Sequence, residues 1–136
     1  MGYVNTQVTL KNIYDLKQAK QGNLPKDKIR QATIDVMVDT GASTLVINEK
    51  IFQQLGLDVM GESEITLAND AKEKCKITEP VVIKWEDRAV AMSALVIDDA
   101  PDFLLGILPL EGMDLIIDTV NQKLVGAHGK KTVYRV

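Results

Sequence analysis

The chain has 136 residues, of which 46% are hydrophobic and 26% charged, and 16 Lys and Arg against 19 Asp and Glu give a formal net charge of −3. This length suits one domain, since single domains commonly hold about 100–150 residues, and the mildly acidic charge argues against nucleic acid as a partner. The longest apolar run, residues 89–97, is too short for a membrane-spanning helix of about 20 residues, and the single cysteine, Cys75, excludes an internal disulfide.

The first thirty residues carry weaker signals than the rest of the chain. Apolar and polar residues alternate loosely over residues 4–13, which predicts a short strand at an edge of a sheet. Residues 17–28 are polar, basic and interrupted by Gly22 and Pro25, a composition typical of an exposed loop or hairpin connection. We therefore assign a strand and a loop to residues 1–30, within a single domain of residues 1–136.

Strand signals become strong after residue 30. Apolar and polar side chains alternate over residues 32–38, and this period of two predicts a strand with one buried face. Residues 44–47 predict a second short strand, so the intervening residues form a tight connection between two apolar runs. Residues 48–56 predict a two-turn helix, with Asn48 as its N-cap and Gly56 just past its end.

The remainder of the chain predicts short strands joined by tight turns. These strands are residues 64–68, 74–78, 81–85, 88–97, 103–105, 115–118, 123–125 and 132–136, with a second short helix within residues 108–115. The last of these strands is a candidate for a subunit edge. Many short strands with turns at about ten-residue spacing predict a mainly β fold, a small barrel or sandwich, with one or two short helices.

The tetrapeptide Asp39-Thr40-Gly41-Ala42 is the stretch most informative about chemistry. It places a carboxylate at the end of a buried strand, with apolar residues before and after it. Burying an ionised carboxylate is costly unless the group is paired, hydrogen-bonded or protonated. Asp, Thr and Gly are all turn formers, so an ordinary turn would explain a bare Asp-Thr-Gly. The apolar flanks on both sides favour a functional carboxylate instead.

Asp39-Thr40-Gly41-Ala42-Ser43 resembles the active-site motif of the retropepsin-like, or retroviral-type, aspartic proteases. A second feature agrees, because the apolar-apolar-glycine sequence at residues 104–106 matches the segment that passes under the active-site loop in that family. The order of elements also fits, and the resemblance covers roughly residues 31–136. Residues 105–118 are similar to those of small single-domain bacterial and archaeal members. The fold that this resemblance implies is a small closed β-barrel of the acid protease type.

The resemblance also implies roles for particular residues. Asp39 is the catalytic carboxylate, and residues that support the active-site loop are Thr40, Gly41, Ala42 and Gly106. Thr40 would bond across a dimer, and Gly41 would bring its N–H to the carboxylate. A flap hairpin would cover an extended peptide and donate main-chain hydrogen bonds to it, and its substrate-binding tip is formed by Ala68, Asn69, Asp70 and Ala71. The family needs no metal and no organic cofactor.

The number of motif copies bears on the assembly. Aspartic protease chemistry uses two carboxylates that share one proton, because two like charges about 3 Å apart cannot both ionise easily. This chain has one Asp-Thr-Gly, and the nearest rival, Asp118-Thr119-Val120, lacks the glycine. The sequence therefore predicts a C2 homodimer in which Asp39 faces its symmetry mate, acting as an aspartic endopeptidase on a peptide or protein substrate.

Two departures from the retroviral pattern keep other functions open. Retroviral enzymes often have arginine after the glycine of the apolar-apolar-glycine segment, where this chain has Ile107, and the flap of residues 67–76 contains neither glycine nor an aromatic residue. A non-catalytic homodimer that binds peptides or proteins on the same fold is the main alternative. A structural β-barrel module is a third hypothesis, although it leaves the Asp-Thr-Gly motif unexplained.

The other chemically notable residues have ordinary explanations. Cys75 is more consistent with a packed thiol than with a nucleophile, because the one histidine, His128, falls in a glycine-rich turn. Residues 98–102 are acidic but lack the spacing and glycine of a calcium loop. Without a disulfide or the pattern of a signal peptide, we expect a cytoplasmic protein with neither membrane nor nucleic acid as a partner.

Overall fold

The computed structural model describes residues 3–67, 69–98, 100 and 102–136. Its strands are β1 (Val4–Asn12), β2 (Gln31–Val38), β3 (Leu45–Ile47), β4 (Val59–Thr66), β5 (Lys72–Thr78), β6 (Val81–Trp85), β7 (Arg88–Met92), β8 (Leu95–Val96), β9 (Leu104–Leu105), β10 (Leu115–Asp118) and β11 (Lys123–Gly126). Its α-helices are α1 (Ile13–Lys20), α2 (Glu49–Leu55) and α3 (Ile107–Gly112), and a 3₁₀ turn occupies Lys26–Lys28. Among the residues described, no helix is long and apolar enough to cross a bilayer.

Nine strands form one curled sheet in the order β4-β5-β8-β3-β9-β2-β1-β6-β7, and β10 and β11 pair separately. The mainly β class with few helices is confirmed. The predicted closure into a barrel is not shown, because β4 and β7 lie at the two ends of the sheet and do not pair with each other in the described part of the chain. The architecture is therefore a curled half-barrel whose two outer strands are edges.

The predicted N-terminal strand exists, but its predicted place at an edge is wrong. β1 pairs antiparallel with β2, from Val4 opposite Val38 to Lys11 opposite Gln31, and on its other side it pairs with β6. Apolar side chains on one face of β1 are buried in the core, at Val4, Val8 and Leu10. β1 is therefore an internal strand of the sheet, with hydrogen-bonded neighbours on both sides.

The prediction of an exposed loop over residues 17–28 is wrong for residues 17–20, which belong to α1. The helix begins because the Asn12 side-chain oxygen accepts a hydrogen bond from the N–H of Asp15 at 3.0 Å, an N-cap. Asn12 is itself buried, and its amide donates to the carbonyl of Leu55 at 2.9 Å. This bond ties the end of β1 to the end of α2.

A buried carboxylate holds α1 against the start of β2. Asp15 is 5% exposed, and its two oxygens accept hydrogen bonds from Nε and Nη2 of Arg30 at 2.8 and 3.0 Å. The backbone N–H of Arg30 donates to the same carboxylate at 2.9 Å. These hydrogen bonds from Arg30 keep the pKa of Asp15 below its ordinary value, although burial opposes them.

This arrangement predicts a pH-dependent loss of stability in Asp15→Asn. At neutral pH we expect the free energy of unfolding to fall by roughly 1–3 kcal/mol, because a charge-assisted pair becomes a neutral one. Since the folded pKa is lowered, the stabilisation is present above the pKa of the unfolded carboxyl and is lost as the pH falls through the lower folded pKa. Urea titrations should therefore show the two proteins converging in acid. Asp27→Asn, at an exposed position of the 3₁₀ turn, is the matched control, and a difference that persists unchanged in acid would contradict this account.

The helix predicted at residues 48–56 is confirmed as α2. Its N-cap is Asn48, whose side-chain oxygen accepts from the N–H of Ile51 at 2.9 Å, and Gly56 ends it with φ 61°, a left-handed conformation that glycine adopts without strain. Ile51, Phe52 and Leu55 are buried, so the helix docks on the sheet through one apolar stripe.

Two strand predictions in the second half of the chain need correction. Residues 88–97 form two strands rather than one, because the backbone of Ala94 pairs with Thr78, through its N–H to the Thr78 hydroxyl at 2.9 Å and its carbonyl to the Thr78 N–H at 3.0 Å. After this point β8 pairs with β3 and β5 instead of β6. The strand predicted at residues 132–136 is absent, since the single chain offers this segment no strand to pair with among the residues described.

Candidate active site

The loop that follows β2, residues 39–44 (the Asp39 loop), is framed by the short strand β9. β9 pairs parallel with the end of β2, with Leu104 beside Met37, and antiparallel with the start of β3, with Leu105 beside Leu45. Leu105 and Leu45 are fully buried. The apolar pair of residues 104 and 105 therefore lies between the strand that enters the loop and the strand that leaves it.

The carboxylate of Asp39 is held by the backbone of its own loop. The N–H of Gly41 donates to Asp39 Oδ1 at 2.9 Å, and the N–H of Ala42 donates to the Asp39 carbonyl at 3.1 Å. The backbone N–H of Asp39 donates to the carbonyl of Leu105 at 3.0 Å. Asp39 is half-buried, so its carboxylate is fixed in direction while remaining reachable from one side.

Gly106 packs closely against the backbone of the Asp39 loop and supports it through hydrogen bonds. Its N–H donates to the carbonyl of Thr44 at 3.0 Å, and the next N–H, of Ile107, donates to the carbonyl of Ala42 at 2.9 Å. A Cβ atom on Gly106 would lie 2.5 Å from the Ala42 oxygen and 2.6 Å from both the nitrogen and the oxygen of Thr44. The close approach of two backbones therefore requires glycine at this position.

The structure thus brings together Asp39, Gly41, Ala42 and Gly106, four of the five residues predicted for the catalytic carboxylate and the support of its loop. Thr40, the fifth, is exposed, and its hydroxyl makes no hydrogen bond within the described part of the chain. Sequence reasoning missed Thr44, a buried residue whose hydroxyl donates to the carbonyl of Ser93 at 2.9 Å. That bond joins the loop to the junction between β7 and β8.

The predicted flap is a hairpin of β4 and β5. Its turn is closed by the N–H of Leu67, which donates to the carbonyl of Ala71 at 2.8 Å, and by the Asn69 side chain, which accepts from the N–H of Ala71 at 3.0 Å. Asp70 has φ 64°, which an aspartate tolerates at a tight tip. Asn69, Asp70 and Ala71 are exposed, whereas Ala68 lies outside the described residues.

A groove of about 420 Å³ separates the flap from the Asp39 loop. We call it the flap-side groove, and residues that line it include Ser43, Ile65, Ile77, Met92, Leu95 and Leu108. Half of the lining side chains are apolar, and the polar half also includes Thr44, Ser63, Glu64 and Ser93. The lining comes from the loop, from both flap strands, from β7, β8 and the junction between them, and from α3. The groove can accept an apolar side chain of an extended peptide.

The base of the flap is attached to α2 by an ion pair. Lys76 of β5 places its Nζ 3.1 Å from both carboxylate oxygens of Glu49, and it lies 5.2 Å from the centroid of the Phe52 ring. The amide of Gln53 donates to Glu49 at 3.0 Å, and this bond, followed by the one from Lys76, keeps the pKa of Glu49 below its ordinary value. The pair fixes the flap base, while the tip extends beyond it.

The end of the chain is positioned by Asp114, which follows α3. Its carboxylate lies 2.8 Å from Nδ1 of His128 and accepts a hydrogen bond from the N–H of Val133 at 3.0 Å. The contact with His128, followed by the Val133 hydrogen bond, lowers the pKa of Asp114. The hydrogen bond to Val133 therefore holds residues 131–136 at one point, although they form no strand. The backbone around Asp114 is itself fixed by buried Arg88, which donates to the carbonyls of Met113 and Asp114 at 3.0 and 2.9 Å.

Comparisons with known proteins agree with this geometry. A family described as "gag-polyprotein putative aspartyl protease" matches residues 26–112, and no curated protein sequence matches the chain. Among solved structures, the chain is similar to the EIAV protease complexed with the inhibitor HBY-793, with 21% identity, coverage of 81% of this chain and 86% of that chain, and a TM-score of 0.58. At this identity the structural likeness shows the fold alone. Because the family match spans more than half of the sequence, the chain belongs to the retropepsin-like, retroviral-type aspartyl proteases.

Proposed function

We propose that the protein is an aspartic endopeptidase that hydrolyses peptide bonds with a pair of Asp39 carboxylates, one from each copy of a homodimer. The observation that carries the proposal is the Asp39 carboxylate, oriented by the Gly41 N–H in a loop that Gly106 braces. The flap-side groove next to this loop supplies a place for an extended peptide. Cleavage of a diverse peptide library, compared between the protein and Asp39→Asn, tests the proposal.

Hydrolysis needs one ionised and one protonated carboxyl group, and a symmetric pair supplies both by sharing a single proton. The ionised Asp39 accepts a proton from a water molecule, and the resulting hydroxide attacks the carbonyl carbon of the scissile bond. The protonated Asp39 of the second copy donates a hydrogen bond to the carbonyl oxygen. When the tetrahedral intermediate collapses, the C–N bond breaks and the leaving nitrogen receives a proton from the pair. No metal or organic cofactor takes part in these steps.

Two observations support a second copy as the source of the second carboxylate. The Asp39 loop contains one carboxylate. The carboxylate of Asp118, the other Asp-Thr site in the sequence, already accepts hydrogen bonds from the N–H groups of Val120 and Asn121 at 3.1 Å within its own turn. The hydroxyl of Thr40 is exposed and faces no hydrogen-bond partner in the described part of a single chain. A two-fold axis beside the loop would give both groups a partner.

We further propose that residues 132–136 form part of the dimer interface. Val133, Tyr134 and Val136 are exposed, yet Asp114 holds this segment by the N–H of Val133. A segment that is fixed in place and apolar, but unpaired within one chain, is suited to pair with a second copy.

Deleting residues 132–136 is therefore expected to abolish both dimerisation and cleavage. Sedimentation equilibrium measures the first and peptide hydrolysis the second, at matched protein concentrations. The deletion leaves the core strands intact, so circular dichroism should show a folded monomer. An active dimer after the deletion would assign the interface to another surface.

A non-catalytic homodimer that binds peptides remains the second candidate. The flap turn favours it, because the flap lacks the glycine that retroviral flaps carry at the tip, and Asp70 instead takes the positive φ. A folded dimer that binds peptides in the flap-side groove without cleaving them would support this candidate.

A further inference from the structure

A second groove runs along β1, where its lining includes four residues of the strand face that points away from the core, Asn5, Gln7, Thr9 and Lys11. Its volume is about 790 Å³, and it shares no lining residue with the flap-side groove. Two buried residues, Trp85 and Leu124, give it an apolar part, and the Trp85 indole N–H donates to the hydroxyl of Thr6 at 2.9 Å. We call it the β1 groove. Its walls lie on β1, β2, β6 and β11, which are elements of the rigid sheet and the C-terminal hairpin.

The net charge of the β1 groove is positive, whereas that of the whole chain is negative. Three lysines line it, Lys11, Lys84 and Lys123, against one carboxylate, Glu86, in a protein whose formal net charge is −3. None of the three lysines forms a salt bridge with another described residue. Asp35 continues the same strand face but does not line the groove. The groove is therefore a local positive site with cations available to an anionic partner.

The remaining lining residues suit an extended polypeptide. They are uncharged donors and acceptors, Asn5, Thr6, Gln7, Thr9, Gln31 and Thr33, and the hydroxyls of Thr9 and Thr33 lie 3.0 Å apart on neighbouring strands. The strand from Asn5 to Lys11 measures about 20 Å at roughly 3.3 Å per residue. An extended segment of about six residues spans that length.

We propose that the β1 groove binds an extended acidic segment, rich in Asp and Glu, of a partner protein. Carboxylates would pair with the three lysines, the amide and hydroxyl side chains would bond the segment's backbone, and apolar atoms would rest on Trp85 and Leu124. A nucleic acid is a poorer match, because the net negative charge of the chain repels a long polyanion and the aromatic content of 4% offers no stacking platform. The site is separate from Asp39, so this proposal holds or fails independently of the proposed hydrolysis.

The test measures binding rather than cleavage. A fluorescein-labelled peptide of about six glutamates, the length that the strand accommodates, is titrated with Asp39→Asn protein, so that hydrolysis of the probe cannot contribute. Fluorescence anisotropy gives the affinity, and a peptide with glutamines in place of the glutamates is the ligand control. The variant is the triple Lys11→Gln, Lys84→Gln and Lys123→Gln. The matched control is Lys17→Gln, Lys20→Gln and Lys26→Gln, which removes the same charge from exposed positions that line neither groove.

We expect the glutamate peptide to bind, and the groove triple to weaken binding by about tenfold, since each exposed pair contributes roughly twofold to threefold. The control triple should bind the glutamate peptide about as tightly as the Asp39→Asn protein does, and the glutamine peptide should bind much more weakly. If both triple variants lowered the affinity for the glutamate peptide equally, the peptide would be attracted only by the overall charge of the protein, and the proposal would be overturned. The absence of any binding of the glutamate peptide would also overturn it. Displacement of the peptide by inorganic tripolyphosphate at far lower concentration than by free glutamate peptide would make phosphate the ligand and reject a carboxylate segment.

Discussion

Asp39→Asn is expected to abolish peptide hydrolysis while leaving the protein folded. The substitution keeps the shape and the acceptor oxygen for the Gly41 N–H, which donates at 2.9 Å in the native loop. It removes the group that accepts a proton from water, and in a homodimer it removes that group from both copies at once. A loss of at least about a thousandfold in kcat/KM follows, because neither general base nor general acid remains. Incubation with a peptide library across acidic to neutral pH measures the loss and shows the subsite preferences of the native protein.

Asp118→Asn is the matched control for this experiment. Asp118 heads the other Asp-Thr pair in the sequence, but its oxygens accept hydrogen bonds from the turn of the β10–β11 hairpin. An asparagine retains an acceptor there, so activity should stay close to that of the native protein. Cleavage that survives in Asp39→Asn would mean that the catalytic group is another residue. A folded dimer with no cleavage in any variant would favour the peptide-binding candidate.

Gly106→Ala is expected to destabilise the fold and to disable the site together. The added methyl group would lie 2.5 Å from the Ala42 oxygen and 2.6 Å from two backbone atoms of Thr44, and backbone atoms cannot rotate away. We expect the free energy of unfolding to fall by about 3 kcal/mol. Because the displaced backbone belongs to the Asp39 loop, kcat/KM should also fall by about a hundredfold, as small misplacements of reacting groups do.

The control for Gly106→Ala is Gly61→Ala in β4. A Cβ atom on Gly61 meets no atom within 4 Å, so the same chemical change should alter stability by no more than about 0.5 kcal/mol. Urea denaturation of both variants gives the comparison directly. If Gly106→Ala unfolds at the same urea concentration as Gly61→Ala, the close contact under the loop does not constrain the native structure.

The elements that could be predicted from sequence are those fixed by local patterns. The alternation of residues 32–38 predicted β2, the cap at Asn48 predicted α2, and β6 was predicted with its observed bounds. The Asp39 loop was singled out by the apolar runs on both sides of it, whereas its catalytic role and the importance of the glycine at residue 106 came from a resemblance. Their contact, at 2.9 Å between the Ile107 N–H and the Ala42 carbonyl, joins segments that no local pattern connects.

The elements that were missed depend on partners distant in sequence. α1 has no broad apolar stripe, and it is held instead by Asn12 and by the pair of Asp15 with Arg30. The division of residues 88–97 depends on the hydroxyl of Thr78. The lining of the flap-side groove was beyond prediction too, because which side of a strand faces a groove depends on its register with neighbouring strands.

The pairing of β2 with β9 also determines when the Asp39 loop can assemble during synthesis. Met37 pairs with Leu104, 67 positions later in the chain, and the residues that brace the loop follow directly after Leu104. At about 5–20 residues per second, a ribosome needs roughly 3–13 s to add that segment after the motif has been made. Through this interval the nascent chain contains the Asp-Thr-Gly sequence without its supporting strand. The topology therefore delays the formation of a rigid catalytic loop until most of the domain has been translated.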